Sequence, residues 1–500
     1  MTPSFLSLHL ADEDATERFG EDLAIALRPG DLVALEGDLG MGKTALARAV
    51  IRALADDRAL EVPSPTFTLV QAYGLRSPVH HFDLYRLSAP EELEELGLPE
   101  ALAEGVALVE WPERAEQAMA GAIRLRLTEK GEGREVRIEG PDDALARIRH
   151  SLAVRAFIDG AGFAGARRTF LLGDASIRAY ETVKPPSGPP LILMDAPERH
   201  DEPAVRDGLP YSRIAHLAQN VTAFVGVANA LRVEGFCAPR IHAQALDDGL
   251  LLIEHLGSGR FLGDSDRPVA ARYEAASRLL AALHERHWPS AFPVDDHRTY
   301  EPPAYDREAL SIETDLCLDW YMPFALGRPA DAGQVAEFKD IWFALFNRLS
   351  AAEQSLVLRD FHSPNIVWRE DRDGFDRLGL IDVQDAVFGP AAYDAAALAF
   401  DARVSIPADI RELVVETYCA ARGPGFDRGA FEEAYAITAA QRNTKLLGTF
   451  TRLAHRDGKP GYLGHLPRIR GYLRQVVQHP GLARLRQFYE DHRLLEGEAE

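Results

Sequence analysis

The chain is short of cysteine: Cys237, Cys317 and Cys419 are the whole supply in 500 residues, far apart and odd in number. That excludes a disulfide framework and a four-ligand structural zinc site, and it predicts core thiols in a reducing compartment. Long apolar runs are missing too. No stretch approaches the roughly 20 apolar residues that a bilayer-spanning helix needs. The opening MTPSFLSLHLADEDATERF has no Lys or Arg before its short apolar run and turns acidic at once, unlike a secretory or transit peptide, so a cytoplasmic location is expected. Positive charge is scarce: 55 Lys and Arg face 77 Asp and Glu, for a net −22. Broad electrostatic binding to nucleic acid or anionic membrane is thereby excluded, and any RNA contact falls to a local basic patch or to partner proteins.

What is present is an ordinary globular balance, 46% hydrophobic and 26% charged, over a length that predicts two to four domains. From residue 5 to about 140 short apolar runs alternate with amphipathic segments, the pattern of an α/β sheet flanked by helices. Strands are expected at Phe5–His9, Leu32–Glu36, Val79–Asp83 and Val106–Glu110. A hairpin is expected from Ile123–Thr128 and Glu135–Glu139, and helices at Glu13–Leu27 and Thr44–Ala55. Gly140-Pro141-Asp142-Asp143 opens a helical run to about Ile158, where the vocabulary changes, and a domain boundary is expected near 150. The remainder reads as α+β, a small β-rich lobe over about 155–257 and a larger helical lobe over about 258–490.

The segment GDLGMGKT, Gly37 to Thr44, sits between the strand LVALE and a helix. Gly37, Gly40 and Gly42 allow the backbone to turn tightly round phosphate, Lys43 reaches the terminal phosphates, and the Thr44 hydroxyl suits magnesium. The following helix adds its positive end. A P-loop hydrolase also needs an acid at a neighbouring strand end, and two stand there: Asp83 after VHHF, and Glu110 after VALV, just before Trp111. The turn Ser64-Pro65-Thr66-Phe67-Thr68 reads either as a nucleotide-sensing loop or as an ordinary turn. His80 and His81 are adjacent on a strand and so point to opposite faces, which disfavours a shared metal.

GDLGMGKT followed in order by SPTFTLV, HHFDLYRL, EELEELGL and VALVEWPER resembles TsaE, the small bacterial ATPase subunit that supports threonylcarbamoyl modification of tRNA adenosine. The resemblance spans nearly all of residues 1–140. It implies that the Gly37-Asp38-Leu39-Gly40 turn, Gly42, Lys43 and Thr44 bind ATP, and that Glu110 assists the metal or its water. It also implies that Asp83, Thr66 and Trp111 serve the nucleotide site or its coupling to partners. The activity implied is weak ATP hydrolysis supporting a threonylcarbamoyl-transfer complex whose other proteins hold the tRNA.

A second constellation lies in LVLRDFHSPNIVWREDRDGFDRLGLIDVQD: Asp360, then Asn365, then Asp382 at the end of an apolar strand. Kinase-type phosphoryl transfer uses that layout, one Asp orienting the attacking hydroxyl while the Asn and the second Asp hold magnesium. Upstream, Gly173-Asp174-Ala175-Ser176 could cover phosphates. LLIEHLGS reads either as a hinge offering the Glu254 carbonyl to adenine or as a core strand. Trp288, Trp320 and Tyr321 could stack on a sugar or belong to the core.

These features resemble the aminoglycoside and choline phosphotransferases, with their protein-kinase-like bilobal fold. More narrowly, GDASIRAY, LILMDAP, LLIEHLG, LRDFHSPNIVW, GLIDVQDA, YDAAALAFD and QRNTKLLGTFTRLAHRDGKPGYL are similar to the anomeric kinases for N-acetylmuramate and N-acetylglucosamine, over about 155–490. The resemblance implies transfer of the ATP γ-phosphate to a sugar C1 hydroxyl with Asp360 as base and Asn365 and Asp382 as magnesium ligands. Asp385 and Asp394 read either as braces that hold the site by hydrogen bonds or as solvent-facing carboxylates. One departure stands out: the strand Leu191–Asp195 has no Lys where kinases carry one, leaving Lys184 or Arg178 as substitutes. The expectation is therefore a P-loop ATPase fused to a sugar kinase, with a silent regulatory kinase-like module, or a kinase for another small-molecule or protein hydroxyl, as the alternatives.

Overall fold

The computed structural model describes residues 5–87, 92–171, 178–199 and 203–497. The chain divides into two compact units, Met1–Asp195 with His242–His255, and Ala196–Ile241 with Leu256–Glu500.

The first unit begins with β1 (Leu6–Leu10), α1 (Glu13–Ala26), β2 (Leu32–Glu36), α2 (Lys43–Ala55), β3 (Val70–Tyr73) and β4 (Val79–Asp83). It continues with α3 (Glu92–Glu95), α4 (Leu98–Glu104), β5 (Val106–Glu110), β6 (Ile123–Lys130), β7 (Gly133–Glu139) and α5 (Asp142–Ile158). The strands form one mixed sheet in the order β1-β7-β6-β2-β5-β4-β3. β2 lies in its middle, parallel to β5 and β6. Strand periodicity explains why: Val33 and Leu35 enter the core under α1 and α2, while Leu32 and Ala34 enter the opposite core with Phe82 and Val109. Asp12 caps α1 by accepting from Ala15 N at 2.7 Å. α1 lies against α2 so closely at Gly20 that a Cβ there would stand 2.4 Å from Ala49 Cβ.

Position 150 falls inside α5, which runs unbroken to Ile158. Its first half buries Leu145 and Ile148 in the core of the P-loop sheet. Its second half buries Val154 and Ile158 against a second sheet. That sheet contains β8 (Arg167–Leu171), β9 (Ala179–Lys184), β10 (Leu191–Asp195) and the strands Leu250–Glu254 and Ile241–Ala245, with β8, β9, β10 and Leu250–Glu254 antiparallel in that spatial order. The small β lobe thus shares one body with the P-loop domain.

The second unit is mainly helical. Its 28-residue helix Arg428–His455 buries a run of polar side chains, from Thr438 through Gln441, Arg442 and Asn443 to Thr444, alongside Ile437 and Leu447. A polar stripe in a buried helix requires partners: Gln441 donates to Glu313, Arg442 to the Arg359 carbonyl, Thr444 meets the Tyr489 hydroxyl, and Thr438 and Asn443 bond carbonyls of their own helix. Beside this helix the unit carries two short antiparallel ribbons, Gln354–Val357 with Val387–Pro390 and Ile366–Trp368 with Leu378–Leu380.

Candidate functional sites

In the first unit the loop between β2 and α2 places Gly37, Gly40 and Gly42 at positive φ of +140°, +84° and +94°. At Gly37 a side chain is also barred by space, because its Cβ would lie 2.7 Å from the Leu127 carbonyl oxygen. Lys43 folds its ammonium back into the loop and donates to the carbonyls of Gly37 at 2.6 Å and Asp38 at 3.0 Å. The Trp111 ring covers the same ammonium, 3.6 Å from nitrogen to ring centroid. Burial lowers the Lys43 pKa, against the opposing pull of Glu110, Glu113, Asp83 and Asp38. A phosphate offers this ammonium better acceptors than two carbonyls do.

The two acids stand side by side, since Asp83 and Glu110 are register partners on parallel β4 and β5. Glu110 is buried and accepts from the Thr44 hydroxyl at 2.8 Å, joining the expected metal hydroxyl to the expected metal acid. The other Glu110 oxygen meets Nε2 of His81 at 2.9 Å. Strand alternation does send the two histidines apart, with His80 reaching toward exposed Glu104 at 3.9 Å. His81, however, faces the site, a role the sequence reading did not assign. Its spacing of two from Asp83 on one strand was the available signal. Asp83 accepts from Ser64 Oγ at 2.8 Å and Tyr85 N at 3.1 Å. The polar turn therefore meets the site through Ser64, while Thr66 lies half-buried two residues on.

In the second unit Asp360, Asn365 and Asp382 converge. Asn365 Nδ2 donates to the Asp360 carbonyl at 3.0 Å and approaches Asp382 Oδ2 at 3.4 Å. Asp382 has a left-handed backbone, φ +59°, and its other oxygen accepts from Gln384 Nε2 at 2.7 Å. Carboxylate and amide oxygens are the donors a hard divalent cation takes when substrate phosphates complete its shell. Asp394 holds the segment leading to Asp360 by accepting from the backbone N–H groups of Leu358 at 2.7 Å and Arg359 at 2.9 Å. Asp385 accepts from Ala218 N at 2.6 Å.

Beneath Asp360 lies a buried charge cluster that sequence spacing did not reveal. Glu313, fully buried, pairs with the Arg359 guanidinium and with Lys445 Nζ at 2.6 Å, and accepts from Gln441 at 2.9 Å. Arg359 has φ +65°, strain that its ion pair holds in place. Arg442 donates to the Arg359 carbonyl at 2.9 Å, and its guanidinium lies 3.9 Å from the Asp360 carboxylate. Burial opposes ionisation of Asp360, but the charges of His362, Arg442, Lys445 and Arg359 override it and bring its pKa to about 2. Burial takes the adjacent His362 down to about 4, so at neutral pH the permanent cations hold Asp360 ionised. Gln441, Arg442 and Lys445 all come from QRNTK, whose polar residues in a buried helix were the legible hint.

Other expected residues are distributed differently. Gly173 and Ser176 lie outside the described residues. Glu254 ends its strand in register with Leu191, half-buried. Lys184 closes β9 at the end away from Ala179, roughly 17 Å along the strand at 3.4 Å per residue, and its ammonium faces Asp56 at 3.8 Å. Met194 and Asp195 occupy the β10 positions in register with Tyr180 and Ala179. Asp195 there meets His150 Nε2 at 2.6 Å, a hydrogen bond that raises the His150 pKa. Trp288 and Tyr321 donate to the carbonyls of Leu283 and Leu494, and Tyr321 is buried, so both are tied to the core.

Comparison with known proteins also finds two parts, the second of which begins inside the first compact unit. Residues 10–137 match the family model "Threonylcarbamoyl adenosine biosynthesis protein TsaE", and residues 167–433 match "Phosphotransferase enzyme family". The N-acetylmuramate/N-acetylglucosamine kinase of Caulobacter vibrioides is 35% identical over 353 residues, 68% of this chain and 95% of that protein. The tRNA threonylcarbamoyladenosine biosynthesis protein TsaE of Rickettsia bellii is 43% identical over 107 residues, 21% of this chain and 72% of that protein. Among solved structures, Bacillus subtilis YdiB is 25% identical and matches 30% of this chain and 96% of that chain with a TM-score of 0.26. The chain belongs to the phosphotransferase enzyme family and carries a TsaE-family P-loop domain ahead of its kinase-like part.

Proposed function

We propose that this protein is bifunctional: a P-loop ATPase that supports threonylcarbamoyladenosine formation on tRNA, joined near residue 150 to a kinase that phosphorylates the anomeric hydroxyl of N-acetylmuramate and N-acetylglucosamine. The matched family regions, ending at 137 and beginning at 167, support a functional boundary there even though α5 is continuous across it. Both halves use ATP with a divalent cation, which we take to be Mg2+.

The observation that carries the kinase reading is the ionised Asp360 beside Asn365 and Asp382. In this reading the sugar C1 hydroxyl donates its hydrogen bond to Asp360. The C1 oxygen forms a bond to the γ-phosphorus as the bond to the ADP oxygen breaks, and the hydroxyl proton passes to Asp360. Since Asp360 is a weak base, its work is to aim the hydroxyl, as the loose transition state of phosphoryl transfer requires. Asn365 and Asp382 would hold the cation that neutralises phosphate charge, and Glu254 would offer its carbonyl to adenine.

In the P-loop half, Lys43 with the loop N–H groups would bind the phosphates, and Thr44 with Glu110 would hold the metal. Asp83 would orient water, and Trp111 and Thr66 would couple the site to partner proteins that hold the tRNA. No helix among the described residues is long and apolar enough to cross a membrane, and we place the protein in the cytoplasm.

A second reading, a catalytically silent kinase-like module, rests on Met194 and Asp195 standing where kinases place Lys. The decisive test is ATP-dependent phosphorylation of each sugar by the full-length protein, with products located by phosphorus NMR. A C1 phosphate establishes the kinase; no product from either sugar favours the silent module or a different acceptor.

A further inference from the structure

A cavity of about 520 Å³ opens beside the catalytic segment in the second unit. Its walls come from two directions: the loop carrying Ser258, Arg260 and Phe261, and the segments carrying Ser363 and Arg403. Asp401 fixes the second wall, accepting from Ser363 Oγ at 2.5 Å and from Arg403 N at 2.9 Å. Arg260 is ion-paired with Asp266 on the cavity rim.

Arg403 is half-buried and presents its guanidinium to His362, with Nη1 3.4 Å from Nε2. The same His362 Nε2 lies 3.8 Å from Asp360 Oδ1. The carboxylate that aims the acceptor hydroxyl and a permanent cation on the cavity wall thus contact the same imidazole nitrogen, close enough for one sugar lying alongside His362 to reach both.

The two proposed sugars differ at one place: N-acetylmuramate carries a lactyl ether on O3, ending in a carboxylate, and N-acetylglucosamine carries a hydroxyl there. We infer that Arg403 is the specificity residue for that difference, binding the lactyl carboxylate while the C1 hydroxyl of the same ring faces Asp360. A planar guanidinium matches a carboxylate through two parallel hydrogen bonds, and a roomy cavity accepts the sugar without the lactyl group as well. This rests on the sugar-kinase reading above and names the residue that distinguishes its two substrates.

The experiment measures kcat/KM for both sugars with the full-length protein and with Arg403→Gln and Arg403→Lys. Loss of one charge-assisted carboxylate contact predicts that the N-acetylmuramate to N-acetylglucosamine ratio falls about tenfold in Arg403→Gln, and that Arg403→Lys retains part of it. The unaltered protein supplies a second arm free of folding effects: the lactamide analogue of N-acetylmuramate, neutral but equal in size, should be used about tenfold less well than the acid. An unchanged ratio with equal losses for both sugars, or a raised KM for ATP as the sole effect, overturns the inference, as does indifference to the lactamide. Failure of the unaltered protein to phosphorylate either sugar removes the kinase reading itself, and the subsite with it.

Discussion

The guanidinium of Arg168 on β8 donates to the Asp22 carboxylate on α1 at 2.7 Å, and through its other nitrogens it grips Glu181 on β9 at 2.7 and 2.8 Å. Arg155 of α5 donates to the same Asp22 at 3.0 Å, and Glu21 accepts from the Arg168 N–H at 3.2 Å. All five residues are buried. α1 packs on α2, the helix that begins at Lys43, so this network ties the P-loop layer to the sheet of the small lobe. Removing one member of such a network strands the others as uncompensated charges. Arg168→Met should therefore destabilise the first unit by about 3–5 kcal/mol, read as a lowered denaturant midpoint. Arg126→Met, whose guanidinium is largely exposed and whose partner Glu36 keeps Arg124, should cost about 1 kcal/mol or less.

His81 gives a prediction for the P-loop site. It holds the Glu110 oxygen that Thr44 does not, so it fixes the acid's orientation without facing phosphate itself. His81→Ala should reduce ATP hydrolysis about tenfold or more and raise the Mg2+ concentration needed for half activity. His81→Gln, which retains a donor, should recover part of both. A variant that shifts only thermal stability would show His81 to be a core residue.

Glu313 contributes to the acid sensitivity of the second unit. Burial opposes its charge, but Lys445 and Arg359 outweigh that and lower its pKa from 4.5 to about 2. A carboxyl with a depressed folded pKa contributes stability that is complete above its unfolded value and is lost as pH falls toward the folded one. The shift corresponds to about 3 kcal/mol, lost between roughly pH 5 and pH 2. Denaturant titrations across that window should show the loss. Glu313→Gln should be less stable at pH 7 and show a flatter dependence below pH 5. A parent profile as flat as the variant's would contradict this assignment.

Much of the fold is readable because its signals are local. β2, β4 and β5 are apolar runs, the last two ended by the candidate acids Asp83 and Glu110, and GDLGMGKT sits between strand and helix as its chemistry requires. The Asp360, Asn365 and Asp382 set is likewise compact in sequence and in space. What the sequence hides depends on distant pairing. Glu313 meets Lys445 across 132 positions, and Arg168 meets Asp22 across 146. His81 is legible as a strand residue but not as the partner of Glu110, because the register of β4 on β5 decides that. α5 shows a local reading overtaken by packing: composition changes near 150, yet one helix serves two cores.

The claim of two independent ATP-using sites is tested most directly by measuring both activities in two single variants of the full-length protein. The account predicts that Lys43→Ala loses P-loop ATP hydrolysis and still makes sugar 1-phosphate, and that Asp360→Asn loses sugar phosphorylation and still hydrolyses ATP at the P-loop. Loss of both activities from either change alone would contradict it.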